Sequence, residues 1–332
     1  MALKPPVEVP QGAIRLNTDS QKLEFFAQDQ WWEMATESSA PLGSRGLFQG
    51  GETSSPRGDT IDYITISTQG NAIDFGDTTD TQYEGGATSS RTRGLIALGY
   101  SNPATVDVID YVTMSSTGNA VDFGNLVSAK RCTCALSNGT RGLWAGGYPH
   151  QNTIDYVTIA STGNAKDFGD AVFSGSYSTA NVASPTRGIK AGGRASGSSA
   201  QKSIEYVTTA TLGNTQDFGD CTSNIFFSAG ISNSIRGIWG GGQTPSNTKL
   251  IQKIEIATTG NSQEFGDITT ACHSPGGASS STRGCIAGGR APSLLDNIDY
   301  ITIATEGNGV DFGNLTLGRA NIAGFSNDHG GL

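Results

Sequence analysis

Six arginines and six acidic residues recur at regular intervals in this sequence, and their side chains are the ones best able to do chemistry. A guanidinium group can bind a carboxylate or a phosphate, and paired carboxylates can act as a general acid and a general base. Six equivalent copies of each predict a repeated ion pair between neighbouring strands, with hydrogen bonds to turn backbone, instead of six active sites. The arginines are Arg45, Arg93, Arg141, Arg187, Arg236 and Arg283, and the acidic residues are Asp62, Asp110, Asp155, Glu205, Glu255 and Asp299.

Other reactive side chains are few and irregularly placed. No two of the histidines, His150, His273 and His329, have the spacing of metal ligands. The five cysteines are odd in number and differ in position between repeats, which predicts free buried thiols in a reducing cytosol. The Asp-Phe-Gly and Glu-Phe-Gly triplets match the magnesium motif of protein kinases by letters alone, because no phosphate loop or catalytic-loop signature accompanies them. The sequence therefore predicts no catalytic residue, no metal site and no cofactor.

The elements that position these residues are six copies of one unit. Successive arginines of the Arg-Gly pairs lie 46 to 49 residues apart, and each is followed by Gly-Asn and then by Asp/Glu-Phe-Gly-Asp/Asn. Such a period is typical of solenoids and propellers, in which each copy forms one supersecondary unit. The high glycine content and the small charged fraction fit short strands joined by tight turns. The sequence therefore predicts an all-β protein.

Residues 141–170 illustrate how one unit is expected to fold. The β-branched run 154–159 is largely apolar on both faces, as in a strand covered on both sides. Gly163-Asn164 predicts a two-residue hairpin turn after this strand, because glycine and asparagine tolerate positive φ. Small residues such as 134–137 precede each arginine, and small side chains suit an innermost strand. Each unit is therefore predicted to be a four-stranded sheet.

The repeats resemble the kelch family of β-propeller repeats in having four short strands, a period near 48 residues and a double glycine after the second strand. The double glycines are Gly50-Gly51, Gly146-Gly147, Gly192-Gly193, Gly241-Gly242 and Gly288-Gly289. The second repeat has Leu98-Gly99 instead, and phenylalanines such as Phe75 replace the tryptophan of the family's outer strand. The resemblance implies a six-bladed, kelch-like β-propeller over residues 41–332.

The spacing of the repeats also predicts how this propeller closes. The interval from each Gly-Asn asparagine to the next arginine is 22 or 23 residues, and the same interval after Asn308 reaches Gly330. The chain thus ends after a seventh innermost strand, near residues 320–327, which has no unit of its own. We expect this strand to complete the sheet that contains residues 45–77, and so to remove the exposed edges that an open sheet would leave.

Repeat length varies mainly between the second and third strands, in loops that should emerge together at one end of the sheets. Variable loops on a rigid scaffold are where binding normally resides, and aromatic and arginine side chains are strong anchors for partners. The candidate binding residues in or beside these loops are Tyr100, Tyr148, His150, Arg194 and Arg290. Lys190 replaces the aromatic or isoleucine residue of the other repeats and is interpreted as a substitution at the edge of a blade.

Residues 1–40 lie outside the repeats and are predicted to form a short β-hairpin arm. Two strands flank an Asn-Thr-Asp-Ser turn at 17–20, and a pair of tryptophans follows them. A two-stranded hairpin is only marginally stable by itself, so this arm needs a partner surface or copies of itself. We therefore predict that Phe25, Phe26, Trp31 and Trp32 serve assembly, either in a homotrimer or by docking onto another protein.

The arm also resembles a known module. The pattern Gly-Ala-Ile-Arg-x-Asn-Thr-Asp, followed by Lys-Leu-Glu-Phe and a tryptophan, begins at Gly12 and covers about 25 residues. It is similar to a small module common in bacteriophage virion proteins, especially tail fibres and other appendages. The resemblance implies a noncatalytic virion protein, assembled in the host cytoplasm, whose residues 1–40 bind other virion proteins. The propeller loops would then bind a host-surface glycan or protein, or another virion protein.

Composition bears on the remaining function classes. The net charge is −9 and the arginines are dispersed along the chain, so neither nucleic acid nor an anionic membrane surface is an expected partner. No stretch approaches the roughly 18 apolar residues of a membrane helix, so membrane insertion is not expected. Two alternatives stay open. One is a glycan-degrading propeller enzyme with two carboxylates about 5 to 10 Å apart across a sugar bond, and the other is a cellular kelch-like interaction module.

Overall fold

The computed structural model describes residues 9–17, 22–33, 44–54, 57–173, 182–194 and 200–332. Over these residues the secondary structure is all β, as the sequence predicts. The chain divides into two compact units, Met1–Leu42 and Gly43–Leu332. The second unit contains six antiparallel sheets, here called sheets I to VI, and each has four principal strands.

The four strands follow the same order across every sheet and are here called a, b, c and d. Strand a is Ala323–Ser326 in sheet I, Gly86–Ser89 in II, Cys134–Ser137 in III, Val182–Ala183 in IV, Ala229–Ser232 in V and Gly276–Ser279 in VI. Strand b, which begins at the repeated arginine, is Arg45–Gln49, Arg93–Ala97, Arg141–Gly147, Arg187–Ala191, Arg236–Gly240 and Arg283–Ala287. Strand c is Thr60–Thr65, Val108–Thr113, Gln151–Thr158, Ser203–Thr208, Ser246–Glu255 and Asn297–Thr302. Strand d is Ile73–Asp77, Val121–Asn125, Lys166–Asp170, Gln216–Asp220, Gln263–Cys272 and Val310–Asn314.

The antiparallel order gives the sheets two distinct ends. The a–b turns and c–d connections share one end, here called the Gly-Asn end. The b–c loops and the connections from strand d to the next strand a share the other, here called the double-glycine end. Two loops at the double-glycine end carry short extra strands, since Tyr100–Ser101 pairs with Ala104–Thr105, and Gln243–Thr244 pairs with the start of strand c in sheet V.

The predicted pairing of the C-terminal strand is confirmed. Strand a of sheet I pairs antiparallel with strand b, with Ala323 opposite Gln49 and Ser326 opposite Gly46. Sheet I therefore combines residues from both ends of the repeat region. Contacts between the a strands run in order from sheet II to sheet VI, and the strand from residues 323–326 contacts the a strands of both II and VI.

Apolar side chains fill the space between neighbouring sheets. One cluster joins Leu95 and Phe123 of sheet II to Trp144 and Val157 of sheet III. Trp144 is fully buried, and its indole Nε1 donates a hydrogen bond to the carbonyl oxygen of Gly86 at 3.1 Å. Because both faces of strands b and c are covered in this way, burial of these side chains holds the sheets together.

The Gly-Asn pairs do not form the predicted two-residue hairpin turns. In sheet I, strand c ends at Thr65 and strand d begins at Ile73, so seven residues connect them. The polar groups of the pair are used between sheets instead. Gly118 of sheet II donates from its amide N–H to the carbonyl oxygen of Phe75 in sheet I at 2.7 Å, and Asn119 Oδ1 accepts from the Asp77 amide at 3.2 Å.

The same two hydrogen bonds recur at all six junctions, including the one between sheets VI and I. There Gly70 donates to the Phe312 carbonyl oxygen, and Asn71 accepts from the Asn314 amide. The junction also explains the glycine of the Asp/Glu-Phe-Gly triplet. Gly76 has a φ of +145°, and a Cβ there would lie 2.5 Å from the carbonyl oxygen of Gly118. The triplet therefore fits one sheet against the next.

The first unit is a three-stranded antiparallel sheet, so the predicted two-stranded hairpin is incomplete. Its strands are Ile14–Asn17, Lys22–Ala27 and Gln30–Glu33. The third strand contains both tryptophans and follows a tight turn at Gln28 and Asp29, whose φ values of 50° and 60° suit a type I′ turn. The sequence did not predict it because glycine and asparagine, the residues that favour positive φ, are absent there.

The four assembly candidates lie on two faces of this sheet instead of in one cluster. Phe26 and Trp31 pack together with their ring centroids 5.3 Å apart, and the Arg15 guanidinium lies 4.1 Å from the Trp31 centroid. Phe25 and Trp32 are cross-strand neighbours on the opposite face, where Ile14 pairs with Phe25. All three of these apolar side chains, together with Leu16, are exposed.

Across the described ranges, no helix is both long enough and apolar enough to cross a membrane.

Candidate functional site

The six repeated arginines hold neighbouring sheets together. Arg141 of sheet III donates from Nη1 to the carbonyl oxygens of Thr209 and Ala210, which follow strand c of sheet IV, at 3.3 and 2.9 Å. Its guanidinium also lies 5.2 Å from the ring centroid of Tyr156 in its own sheet. The equivalent bonds run from Arg45 to Met114, Arg93 to Ile159 and Ala160, Arg187 to Ile256 and Ala257, Arg236 to Ile303 and Ala304, and Arg283 to Ile66.

These contacts correct the prediction of a repeated ion pair. In sheet I the register places Arg45 opposite Thr65 and Asp62 opposite Phe48, so the two charges are three positions apart. Only in sheet V does an arginine meet its predicted partner, since Arg236 Nε lies 2.9 Å from Glu255 Oε1. Glu255 occupies the position of Thr65, directly opposite the arginine. The residue that corresponds to Asp62 in sheet V is Gln252.

The repeated acids instead receive hydrogen bonds from the preceding sheet. Asp62 accepts from the backbone N–H and the hydroxyl of Thr316, at 3.0 and 2.7 Å. Asp110 accepts from Thr79 and Asp299 from Thr269 in the same way. Asp155 accepts from the Val127 amide, Glu205 from the Phe173 amide, and Gln252 from Thr222. Because the neutral amide oxygen of Gln252 accepts the same kind of hydrogen bond, this contact does not require a charged acceptor.

Three of these buried acids have a cation from elsewhere in the chain beside them. Arg319 Nη2 lies 2.8 Å from Asp62 Oδ2, and Lys130 Nζ lies 3.0 Å from Asp155 Oδ1, with both pairs almost completely buried. Burial lowers the pKa of Lys130, and the Asp155 carboxylate opposes that shift. Lys190 is buried beside Glu205 and Phe173, and burial likewise lowers its pKa. Lys190 is therefore a core residue with a structural partner.

The candidate binding residues lie at the double-glycine end, as predicted, and Tyr100, Tyr148 and His150 belong to one stack. The Arg131 guanidinium lies 5.0 Å from the Tyr100 centroid and 4.7 Å from the Tyr148 centroid. Arg57 lies 4.8 Å from Tyr100 and 4.7 Å from Tyr83, and the two tyrosine centroids are 5.2 Å apart. The Tyr148 and His150 rings are 5.8 Å apart. We call this alternation of aromatic rings and guanidinium groups the Tyr-Arg stack.

Arg194 and Arg290 lie at the same end of the sheets but outside the stack. The Arg194 guanidinium is 4.9 Å from the Phe226 centroid, and Arg290 Nη2 is 2.8 Å from Glu52 Oε1. Phe227 and His273 have centroids 5.9 Å apart, and His273 Nδ1 lies 2.9 Å from Asn247 Oδ1. Aromatic and charged side chains therefore occur in several b–c loops and strand d to strand a connections at this end.

A cavity of about 70 Å³ opens at the double-glycine end between the a strands. Residues from the strand d to strand a connections line its rim, among them Glu84, Cys132, Thr133, Ser274 and Asn321. Glu84 connects the cavity to the Tyr-Arg stack, because its Oε2 lies 3.3 Å from Arg131 Nη1. Burial raises the pKa of Glu84, and the nearby Arg131 and Arg57 charges oppose that shift.

The opposite end of the space between the a strands carries a set of serines and the C-terminal residues. Ser137 Oγ donates to the Ser89 carbonyl oxygen at 2.7 Å, and Ser89 Oγ donates to the Ser326 carbonyl oxygen at 2.6 Å. His329 Nε2 lies 3.0 Å from Ser137 Oγ. Burial lowers the pKa of His329 to about 4. A cavity of about 30 Å³ remains among these serines and His329.

The five cysteines are free and buried, as predicted. Burial raises the pKa of Cys134, Cys221, Cys272 and Cys285 to about 12, so these thiols stay protonated at neutral pH. Within the residues that the structure places, no group of three or more His, Cys, Asp or Glu side chains could hold a metal ion.

Sequence reasoning missed Tyr83, Arg131, Arg57 and Glu84. A usable signal was present for two of them, because Tyr83 and Arg131 both lie ten residues before a repeated arginine, as do Phe226 and His273. These four large side chains lie in the connections from strand d to strand a. Each residue forms a backbone bridge with the residue that follows the glycine pair, or Leu98-Gly99, in the next b–c loop, as in the bridges Tyr83–Tyr100 and Arg131–Tyr148.

No family model matches the sequence, and no curated protein matches it significantly.

Proposed function

We propose that sheets I to VI form a closed six-bladed, kelch-like β-propeller. Three sets of contacts support this arrangement: the a-strand contacts, the Gly-Asn hydrogen bonds and the arginine hydrogen bonds each join sheet VI to sheet I as they join every other neighbouring pair. The double glycines add support, since Gly50 and Gly51 have φ values of 57° and 104°, which glycine adopts without strain. In this arrangement the double-glycine end is one face of a disc.

We propose further that the protein is a noncatalytic bacteriophage virion component, a tail fibre, appendage or surface decoration, that displays this face to a host-surface glycan or protein. The observation that carries the binding role is the Tyr-Arg stack. Large rings and guanidinium groups held on short loops present contact area at little cost in conformational entropy, which is what binding hot spots require. Rigid sheets below the loops keep the stack in one geometry.

The first unit supports a role in assembly. Ile14, Leu16, Phe25 and Trp32 are exposed, and the strand register places Ile14, Phe25 and Trp32 in one row across the sheet. An apolar row of this kind is an ordinary feature of surfaces that pack against other proteins. In the proposed virion, residues 1–40 dock onto another virion protein or onto copies of themselves, and the propeller faces outward.

Immunogold labelling tests the virion assignment. Gold-labelled antibody against residues 41–332 should decorate intact particles of the phage that carries this gene, at a fixed position on tail or capsid. Labelling only of lysed host debris, with unlabelled particles, would refute it. Purified protein should also bind the host cells, and variants of the Tyr-Arg stack should bind less.

One observation favours a second function, the hydrolysis of glycans. Glu52 and Glu84 both interact with Asn321 at the same end of the sheets: Asn321 Nδ2 lies 3.5 Å from Glu52 Oε2, and the Glu84 amide donates to the Asn321 carbonyl oxygen at 3.2 Å. Burial raises the pKa of Glu84, which is the direction a general acid requires. Incubation of the protein with host-surface polysaccharide should release new reducing ends if this function holds, and Glu84→Gln should stop the release.

A further inference from the structure

The cavity at the double-glycine end is large enough for one polar arm of a ligand. Its volume of about 70 Å³ leaves room for several water molecules, each of which needs about 10 to 15 Å³ of such space. A ligand that lies among the b–c loops can therefore extend a small group inward.

Two buried hydroxyls at this cavity have no hydrogen-bond partner among the residues that the structure describes. Thr133 is 7% exposed and Ser274 is 5% exposed, and within those residues neither Thr133 Oγ1 nor Ser274 Oγ has a partner. Burying an unpaired hydroxyl costs about 1 to 3 kcal/mol, so native proteins seldom keep such groups without a use for them. Thr133 and Ser274 line the same cavity as Glu84. Two hydroxyls and a carboxylate can together donate to and accept from a ligand hydroxyl.

The surroundings of the cavity indicate which ligands carry that hydroxyl. Glu84 joins the cavity to Arg131, which contacts the ring of Tyr148, and Tyr148 is 37% exposed. An exposed aromatic face beside hydrogen-bonding groups suits a sugar, which has an apolar ring face and hydroxyls at its edge.

Charge separates neutral from acidic sugars. Arg131 lies beside Glu84, and Arg290 lies beside Glu52 at 2.8 Å. These two guanidinium groups therefore already have carboxylate partners at this end of the sheets, and the whole chain carries a net charge of −9. An acidic sugar is negatively charged and would be repelled by this net negative charge, whereas a neutral sugar would not be repelled.

We propose that the cavity is a subsite for the hydroxymethyl arm of a neutral hexose, with Glu84 accepting a hydrogen bond from its hydroxyl and Thr133 and Ser274 completing the hydrogen bonds. The sugar ring packs against the Tyr-Arg stack. This inference rests on the proposed role in glycan binding and specifies the sugar class that the face selects. Water alone in the cavity, with no sugar bound there, is the competing outcome.

Saturation-transfer NMR on the full-length protein tests the subsite. The probes are the methyl glycosides of glucose, galactose and mannose, the 6-deoxy analogue of each, and methyl glucuronide. At least one hexoside should bind with a Kd on the order of 1 mM. Its 6-deoxy analogue should bind about tenfold more weakly, because the buried hydroxyls and Glu84 would then stay unpaired. The glucuronide should bind more weakly than the hexosides.

Three variants assign the binding to this cavity. Thr133→Val, Ser274→Ala and Glu84→Gln should each weaken hexoside binding about tenfold, whereas Thr117→Val, at the Gly-Asn end, should not change it. Since the Thr133 hydroxyl has no partner in the described part of the chain, Thr133→Val should leave the melting temperature unchanged or raise it, which separates lost binding from lost folding.

The outcomes distinguish this inference from the proposed function. If a hexoside and its 6-deoxy analogue bind equally, or if the three variants bind as well as the wild type, the subsite is wrong. If no probe binds at 50 mM while the protein still attaches to host cells through the Tyr-Arg stack, the subsite is again wrong and the binding role stands. If neither the cavity variants nor the Tyr-Arg stack variants lose attachment to host cells, both the subsite and the proposed binding role are wrong.

Discussion

Arg283 in sheet VI donates a hydrogen bond of 2.9 Å from Nη1 to the carbonyl oxygen of Ile66 in sheet I, although the two residues are 217 positions apart in the sequence. The same bond joins each earlier sheet to the next. One residue type at one position of the repeat therefore accounts for contacts of both short and very long sequence separation. This regularity makes the contribution of each junction measurable by single substitutions.

Arg141→Ala should lower the free energy of unfolding by about 2 kcal/mol, because it removes two charge-assisted hydrogen bonds to Thr209 and Ala210. Urea unfolding followed by circular dichroism measures the change. Arg91→Ala is the matched control, since Arg91 is exposed in the a–b turn, two residues before the repeated Arg93, and it should change stability by less than about 0.5 kcal/mol. If both substitutions lower the free energy of unfolding equally, the hydrogen bonds of Arg141 do not stabilise the junction between sheets III and IV.

Arg319→Met should destabilise the protein by about 3 to 5 kcal/mol, because it leaves the carboxylate of Asp62 buried without its cation. Adding Asp62→Asn should recover most of that loss. The precedent is Gln252, which fills the corresponding position of sheet V with a neutral amide and accepts the same hydrogen bonds. Thermal unfolding of the two single variants and the double variant completes the cycle. A double variant as unstable as Arg319→Met alone would contradict this account.

Stability should fall between pH 6.5 and pH 4 through His329. Burial lowers its folded-state pKa to about 4, whereas the unfolded chain binds the same proton near pH 6.5. Unfolding therefore takes up a proton in this window, so the contribution of the neutral imidazole is complete above pH 6.5 and is lost by pH 4. The loss should be on the order of 3 kcal/mol.

The measurement is the difference between wild type and His329→Gln across that pH range, since carboxyl groups that titrate in the same window cancel in the difference. The variant keeps an amide near Ser137 and Ser89 but cannot titrate. Identical pH profiles for the two proteins would rule out His329 as the source of the dependence.

Tyr100→Ala and Tyr148→Ala should each weaken attachment to host cells at least tenfold, because each removes one ring of the Tyr-Arg stack. Replacing residues 100–107 and 148–150, which end where strand c begins, with Gly-Ser loops of equal length should abolish attachment while particle incorporation persists. Thr162→Ala, near Asn164, is the control at the Gly-Asn end. Attachment that survives the loop replacements but is lost on altering the Asn119 and Asn164 turns would place the binding surface at the other end.

Phe25→Ser and Trp32→Ser should reduce self-association or particle incorporation, because both remove exposed apolar area from one face of the first unit. Gln30→Ser, in the same strand as Trp32, should have no effect. Sedimentation velocity on the full-length protein reports the oligomeric state, and quantitative blotting of purified particles reports incorporation. The assembly role is wrong if wild type and both variants are monomeric and enter particles equally.

The strands could be predicted from the sequence because the pattern of each strand occurs in all six repeats. Small residues before each arginine, β-branched residues after each b–c loop and the count from Asn308 to Gly330 each identified a strand, including the one that pairs with Arg45–Gln49. The third strand of the first unit had no such repetition to reveal it. Its turn places both Gln28 and Asp29 at positive φ, and of these two residue types only aspartate commonly tolerates that conformation.

The pairing of side chains could be predicted much less well, since it depends on register and on residues from other repeats. A shift of three positions separates Arg45 from Asp62, and nothing in the sequence fixes that register. The cations beside Asp62 and Asp155 are Arg319 and Lys130, which belong to different repeats from the acids they accompany. The loops that carry Tyr100 and Tyr148 were identified by their variability, whereas Arg131 joined them only through the three-dimensional arrangement.

The six junctions are made by the same few groups, and this bears on how such a chain can change. A segment that runs from one repeated arginine to the next carries its own b–c loop together with the polar groups that recur at every junction: the arginine, the Gly-Asn pair and the Phe-Gly pair. Recombination between copies within one gene, or between related genes, could therefore transplant a whole segment and its loop while keeping these recurrent hydrogen bonds. Whole b–c loops would then be exchanged, while the recurrent hydrogen-bonding residues that join neighbouring sheets stay constant.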